Sequence, residues 1–172
     1  ILPHSAEAEP IREQLSQFVS SPITGIHFWF DREITQLDHA VLLDRTIQWM
    51  FQKSRILERA GAPFKPSFGL SGVVAGYDAP LAAGSYLELV VSSSKSLLTK
   101  GRSEILDLAL RELSEFFPAA KEARVLKSTV IKEVHATFSP APGLDRHRPT
   151  ALTAWPRVFL SGDWTATGWP AT

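Results

Sequence analysis

The chain has 172 residues, 44% of them hydrophobic and none of them cysteine. It is long enough to bury a core as one domain, while disulfides, thiolate metal sites and cysteine nucleophiles are excluded by inventory. Eighteen basic residues balance eighteen acidic ones for a formal net charge of +0, so no global field holds nucleic acid or an anionic membrane by charge alone. The longest apolar runs, such as "HAVLL" and "YLELVV", fall far short of the roughly 20 residues of a membrane-spanning helix. A soluble domain is expected, and a reducing cytoplasm suits it. The first residue is Ile1 and no targeting peptide is visible, so the chain reads as a piece of something longer.

Pro10 sits just inside a pattern that puts Ile11, Leu15, Phe18 and Val19 on one face. The spacing predicts a helix over 5–19, closed by Ser20-Ser21-Pro22. Residues 23–30 are mostly β-branched or aromatic and predict a strand, with Asp31-Arg32 at its polar end. "HAVLLDRTIQWMFQK" predicts a β-hairpin turning at Asp44-Arg45. In its second arm Ile47, Trp49 and Phe51 alternate with Gln48, Met50 and Gln52. Residues 54–84 are interrupted by eight glycines and prolines, from Gly61 to Gly84, and predict a long loop of functional character. "SYLELVVSS" predicts a further strand. "SEILDLALRELSEFFP" predicts a helix with Leu106, Ala109, Leu113 and Phe116 on its stripe, Ser103 as cap and Pro118 as stop. "ARVLKSTVIKEVHATFS" predicts one long strand, or two with a bend. The Pro-rich loop "SPAPGLDRHRPT" follows, and "RVFL" predicts a last strand that delivers Gly162-Asp163. Two helices and about six strands, grouped rather than alternating, predict an α+β domain: a mixed, mostly antiparallel sheet with helices packed on one side.

Self-contained catalytic signatures are absent. His4, His27, His39, His135 and His147 are scattered, without metal-ligand spacing, and read as ordinary surface or half-buried residues. No nucleophile elbow, phosphate-cradling lysine loop or G-x-G-x-x-G occurs. Asp38, Asp44 and Glu88 read as solvated, and the "DRHRP" cluster at 145–149 reads as a solvated loop before it reads as an anion site. The aromatics Phe28, Trp29, Phe30, Trp49, Phe51, Phe64 and Phe68 are core candidates. A sheet face turning alternate aromatics into a cavity under the 54–84 loop would instead suit a large apolar ligand.

The last fifteen residues, "VFLSGDWTATGWPAT", add a more specific signal. A strand running into Gly-Asp, followed by Pro-x-Thr, resembles the carboxy-terminal flavin signature of the flavin amine oxidase and phytoene desaturase superfamily. That resemblance implies an α+β substrate-binding domain at 1–157 and the start of the C-terminal FAD-binding segment at 158–172. It also implies FAD as cofactor of the full-length protein, with Asp163 accepting hydrogen bonds from the ribityl chain. Gly162, Trp164, Thr165, Thr167, Gly168 and Trp169 would then lie close to the flavin. A glycine there lets backbone approach a ligand closely, and a carboxylate suits ribityl hydroxyls. In the family a helix opened by Glu-Gly-Ala follows the Pro-x-Thr, and its positive end suits the reduced isoalloxazine. The chain reads as stopping inside that motif, so on its own it is expected to bind FAD weakly and to be inactive.

Together with "SPITGIHFWFDREI", "IQWMFQKS", "SYLELVVSSS" and "HATFSPAPGLDRHRPT", the ending resembles squalene-associated FAD-dependent desaturases, the hydroxysqualene dehydroxylases of hopanoid synthesis. The resemblance implies an apolar isoprenoid substrate, the FAD-binding half of the same chain as partner, and no nucleic acid. A cytoplasmic location, peripheral at the inner membrane, follows from so insoluble a substrate. No catalytic residue is assigned; Asp145 and Arg148 merely precede the cofactor strand. A carotenoid desaturase or an amine oxidase of the same superfamily is the alternative, and a non-catalytic lipid-binding module, in which Gly-Asp is an ordinary turn, is the rival from another class.

Overall fold

In the computed structural model, which describes residues 5–59 and 84–168, the sheet comes from the segments richest in β-branched and aromatic residues. Five strands take part: β1 (Ser20–Phe30), β2 (His39–Val41), β3 (Trp49–Gln52), β4 (Ser85–Ser92) and β5 (Val125–Phe138), in the order β2-β3-β4-β1-β5. The pairs β2–β3, β3–β4 and β4–β1 are antiparallel. The helices are α1 (Glu9–Leu15), α2 (Lys53–Arg59), α3 (Arg102–Phe116) and α4 (Ala119–Glu122). This is the α+β class that the grouping of elements predicted.

The chain divides into two compact units, Ile23–Glu133 and Ile1–Pro22 with Val134–Thr172. In the first, period-2 alternation sends Ile26, Phe28 and Phe30 of β1 and Leu87, Leu89 and Val91 of β4 to one face, where all are buried. Met50 joins them from β3. Ile105, Ala109 and Leu113 recur every four residues on α3 and cover that face. Burying each large apolar side chain contributes about 1.5–3 kcal/mol, so this face dominates the stability of the unit. Glu112, on the same helix, is also buried; its carboxylate accepts the backbone N–H of Ile47 at 2.9 Å. In the second unit Phe18 packs edge-on against Phe138, with centroids 5.0 Å apart. Beside them the Ser139 N–H donates to the Val19 carbonyl at 2.7 Å.

Several boundaries differ from expectation. The first helix ends at Leu15 rather than 19, and Ser20-Ser21-Pro22, expected to close it, opens β1. The bond to Ser139 extends the backbone there before helical spacing can continue. Gly101 rather than Ser103 takes the cap position of α3, and Phe116, predicted on its buried stripe, is exposed. The hairpin forms with short arms, because residues 42–48 bend away between Leu42 and Gln48 and Asp44 adopts a left-handed φ of 56°. The stretch 54–59, expected as loop, continues α2 from Lys53. Phe64, Phe68 and the rest of the expected loop, 60–83, lie outside the described residues. The long strand over 125–138 is single and continuous. "RVFL" is not a strand: Arg157 takes a φ of 63°, and Phe159 makes one isolated bridge to Leu152. A strand needs a ladder, and here Thr153 closes the turn instead, its hydroxyl 2.7 Å from the Val158 carbonyl.

Candidate flavin turn and aromatic sheet face

The Gly162–Gly168 segment folds as a pinned turn. Gly162 holds a φ of 135°, a conformation that side-chain-bearing residues avoid. A Cβ placed there would stand 2.5 Å from the Trp164 indole nitrogen, so Trp164 itself requires the glycine. The N–H and hydroxyl of Thr165 donate to the Gly162 carbonyl at 3.1 and 2.7 Å. Ala166 N–H reaches the Pro149 carbonyl at 2.8 Å. The guanidinium of Arg148, a residue only 7% exposed, donates to the backbone carbonyl of Asp163. This main-chain scaffold leaves the Asp163 side chain exposed, with the Thr137 hydroxyl 3.5 Å from one carboxylate oxygen. The turn therefore presents a carboxylate on a fixed backbone, an arrangement suited to accepting bonds from hydroxyls.

The second candidate surface is the sheet face opposite α3. Register places Phe51 opposite Glu88 and Glu88 opposite His27; the neighbouring rungs hold Trp49, Val90 and Gly25 on one side and Tyr86 with Trp29 on the other. Trp29 and Tyr86 stack at 4.5 Å with an interplanar angle of 4°, and Trp49 stacks on Phe51 at 6.0 Å. Polar groups punctuate this wall. His27 Nδ1 lies 3.0 Å from the Tyr86 hydroxyl, Lys53 pairs with Glu88 at 2.8 Å, and Lys127 sits over the Trp29 ring, 4.7 Å from its centroid. Burial lowers the His27 imidazole below its ordinary value and pushes the Tyr86 phenol up to about 12, with the Glu88 charge adding to the latter. At neutral pH both are uncharged.

The model for "Flavin containing amine oxidoreductase" matches residues 2–172. The chain belongs to the flavin containing amine oxidoreductase family. Among its relatives, the 15-cis-phytoene desaturase of Synechococcus elongatus is 27% identical over 169 residues, covering 96% of this chain and 32% of that protein. The tomato (Solanum lycopersicum) 15-cis-phytoene desaturase is 26% identical over 171 residues, covering 96% and 26%. The chain thus spans about a third or less of the curated relatives it matches. A solved structure from Exiguobacterium sp. 255-15, described as "Putative protoporphyrinogen oxidase", shares the fold with a TM-score of 0.53 at 8% identity, covering 78% of this chain and 27% of that one.

Within this amine oxidoreductase chain, Gly162, Asp163, Trp164, Thr165, Thr167 and Gly168 do share one short turn, while Trp169 lies outside the described residues. Their roles in the turn differ. Thr165 is buried with its hydroxyl directed at Gly162, and Gly168 holds a φ of 79°. The "DRHRP" cluster is not a solvated loop: Leu144, Arg148 and Pro149 are buried, and only Asp145 and Arg146 stand out. The structural part of Arg148 was not readable from the sequence, because its partner is a backbone carbonyl fifteen residues on, which no spacing rule reports. His27 is buried where a surface or half-buried residue was expected, and Glu88 is paired rather than freely solvated.

Proposed function

We propose that this chain is the substrate-binding portion of an FAD-dependent oxidoreductase acting on a long apolar isoprenoid, with residues 1–157 on the substrate side and 158–172 beginning the flavin-binding segment. The observation that carries the reading is the aromatic sheet face of a flavin-family chain: Trp49, Phe51, Trp29 and Tyr86 form a wall suited to a hydrocarbon. A cationic amine is a poorer fit, because the cation position over Trp29 is already filled by Lys127. The Gly162–Asp163 turn fits FAD as ribityl acceptor, its exposed carboxylate standing on a main chain fixed by Arg148 and Thr165.

The finer assignment is a squalene-type substrate, hydroxysqualene to squalene in hopanoid synthesis, supported by the sequence stretches that resemble squalene-associated desaturases. Reduced flavin, held at the Gly162–Asp163 turn, would supply the hydride that replaces the hydroxyl, which would leave with a proton as water. The chain's own part is to orient the isoprenoid and to exclude water from it. Desaturation of a carotenoid precursor is the second reading, favoured by relatives named as phytoene desaturases. The remaining length of the full protein is the partner that completes the FAD site. The location is cytoplasmic, peripheral at the inner membrane, where such a substrate resides.

The test uses the full-length protein and its Asp163→Ala variant. Visible absorbance is expected to show bound flavin in the parent and weakened retention in the variant, and the holoenzyme is expected to convert hydroxysqualene with its flavin reduced but not to desaturate phytoene with its flavin oxidised. A parent that takes up no flavin when FAD is added refutes the oxidoreductase reading. Turnover of phytoene alone refutes the squalene-type assignment in favour of the second reading.

A further inference from the structure

We infer that the 95–102 turn and the part of β5 beside it form a docking surface for an anionic phospholipid bilayer, with Lys95, Lys100, Arg102 and Lys132 as its phosphate-facing cations. This inference rests on the peripheral location proposed above and names the surface that makes the contact. A formal net charge of +0 hides it, because an exposed charge acts over a Debye length, about 10 Å at 0.1 M salt, and not over the whole chain. Three of the four cations come from the turn and the fourth from β5. Tertiary hydrogen bonds gather them. Lys132 Nζ donates to the Leu98 and Lys100 carbonyls at 3.0 and 2.7 Å, and the Arg102 guanidinium donates to the Ser128 carbonyl.

The kind of partner each cation has decides the field. A backbone carbonyl satisfies a donor without cancelling its charge, so Arg102 and Lys132 are hydrogen-bonded and still fully charged. Lys95 is exposed, and none of Lys95, Arg102 and Lys132 forms an ion pair among the described residues. Lys100 does meet a carboxylate, that of Glu104. The Lys100 hydrogen bond holds the Glu104 carboxyl below its usual range, and the Lys132 charge adds to that, which puts Lys132 in the same local field. Four cations therefore stand against one carboxylate. The acids nearby do not cancel them: Glu133 alternates to the other face of β5 from Lys132, and Asp107, one turn along α3, has Arg111 at i+4. Lysines are point charges on flexible stems without a fixed fork, which suits a plane of many phosphates. A protein whose substrate dissolves in a bilayer is held by such a surface where that substrate resides.

Flotation of the full-length protein with lipid vesicles tests the surface. Vesicles of phosphatidylcholine alone are compared with vesicles of phosphatidylcholine and phosphatidylglycerol, for the parent and for Lys95→Gln, Arg102→Gln, their double variant and Lys121→Gln. Lys121 lies on α4, past the far end of α3 from the turn, about 22 Å along the helix, and is the control charge. Near-ultraviolet circular dichroism confirms that each variant retains its packing. The parent is expected to bind the phosphatidylglycerol vesicles and to leave them as salt rises to about 1 M. Each cluster variant is expected to bind about fivefold more weakly and the double variant about thirtyfold, with Lys121→Gln unchanged. Equal binding to both kinds of vesicle, or a double variant that binds as the parent does, overturns the docking surface and leaves the peripheral location standing. A loss with Lys121→Gln equal to that with Lys95→Gln overturns it too, since net charge then explains the binding. Release by inorganic phosphate beyond that by chloride at equal ionic strength overturns it in favour of a discrete phosphate site. A parent that binds neither kind of vesicle overturns the peripheral location and the surface with it.

Discussion

Replacing Arg148 by Met removes a hydrogen bond that fixes the Asp163 backbone from outside its own turn. Methionine keeps most of the buried aliphatic volume, so the packing of a residue 7% exposed is largely retained while the guanidinium bond to the Asp163 carbonyl is lost. A hydrogen bond with a charged donor contributes about 1.5–3 kcal/mol. Asp163 is exposed, so water replaces part of that bond, and the lower end applies, about 1.5 kcal/mol. If the loss appears wholly as disorder of the turn, FAD affinity of the full-length protein falls about tenfold, at about 1.4 kcal/mol per decade. Titration of the apoprotein with FAD, followed by flavin fluorescence, measures it. Arg148 acts through Asp163 in this account, so adding R148M to Asp163→Ala is expected to cost little more than Asp163→Ala alone. Fully additive losses in that double-mutant cycle, or an R148M protein that binds FAD as the parent does, would refute the reasoning.

Gly162→Ala forces an L side chain into a φ of 135° and against the Trp164 indole. A loss of about 1–3 kcal/mol is expected, seen as a lower Tm, and an unchanged Tm would show that the turn relaxes freely. Glu112→Leu leaves the buried Ile47 N–H without its acceptor, at about 1–3 kcal/mol in a denaturant titration. Glu112→Gln keeps a carbonyl oxygen in place and is expected to lose less, so equal losses would discard the hydrogen bond as the cause. In a pH series the two shifted groups of the sheet act on opposite limbs. The folded Tyr86 phenol ionises only near pH 12 while an unfolded one begins near 10, so stability falls as pH rises from about 10 to about 12. His27 is lowered when folded, so the unfolded chain takes the proton first and stability falls as pH drops below about 6.5. Tyr86→Phe should flatten the alkaline limb and His27→Phe the acidic one, and limbs unmoved by either change would contradict the burial of these rings.

What the sequence made legible was periodicity with a single owner. β1, β4 and α3 form where composition and spacing place them, with Ile26, Phe28, Leu87 and Leu89 buried; of the stripe expected on α3, Ala109 and Leu113 are buried, while Ile105 takes the core position expected of Leu106. Where a segment's conformation depends on a distant partner, local pattern misleads. Val19 is claimed by Ser139, and this ends the first helix early. "RVFL" has the composition of a strand but meets only Leu152. The candidate site shows the same division. Gly162-Asp163 was readable as a motif, and its glycine as a backbone requirement. Arg148, Glu112 and His27 were not, since a charged or polar letter counts as outward in a one-dimensional pattern until its buried partner is known.

The outer sheet face shows why such partners matter for function. One face of an antiparallel sheet usually packs on the core while the other meets water and carries polar side chains. Here the second face places half-buried Trp29, Phe51 and Tyr86 among His27, Glu88 and Lys53. A core would omit the charged pair, because two desolvated ions seldom repay their burial. A solvated surface would omit the stacked rings, whose apolar area gains nothing in water. Rings that supply contact area, together with a few convergent polar groups that supply orientation, are the makeup of a ligand wall. The Lys53–Glu88 pair then has a specific part: by cancelling charge beside His27 it keeps the imidazole neutral and the wall apolar. Lys53→Met is accordingly expected to raise the His27 pKa, because it removes a lowering cation and frees the Glu88 charge. The imidazole resonances followed through an NMR titration measure that rise, and an unmoved His27 would mean that the pair does not govern this face.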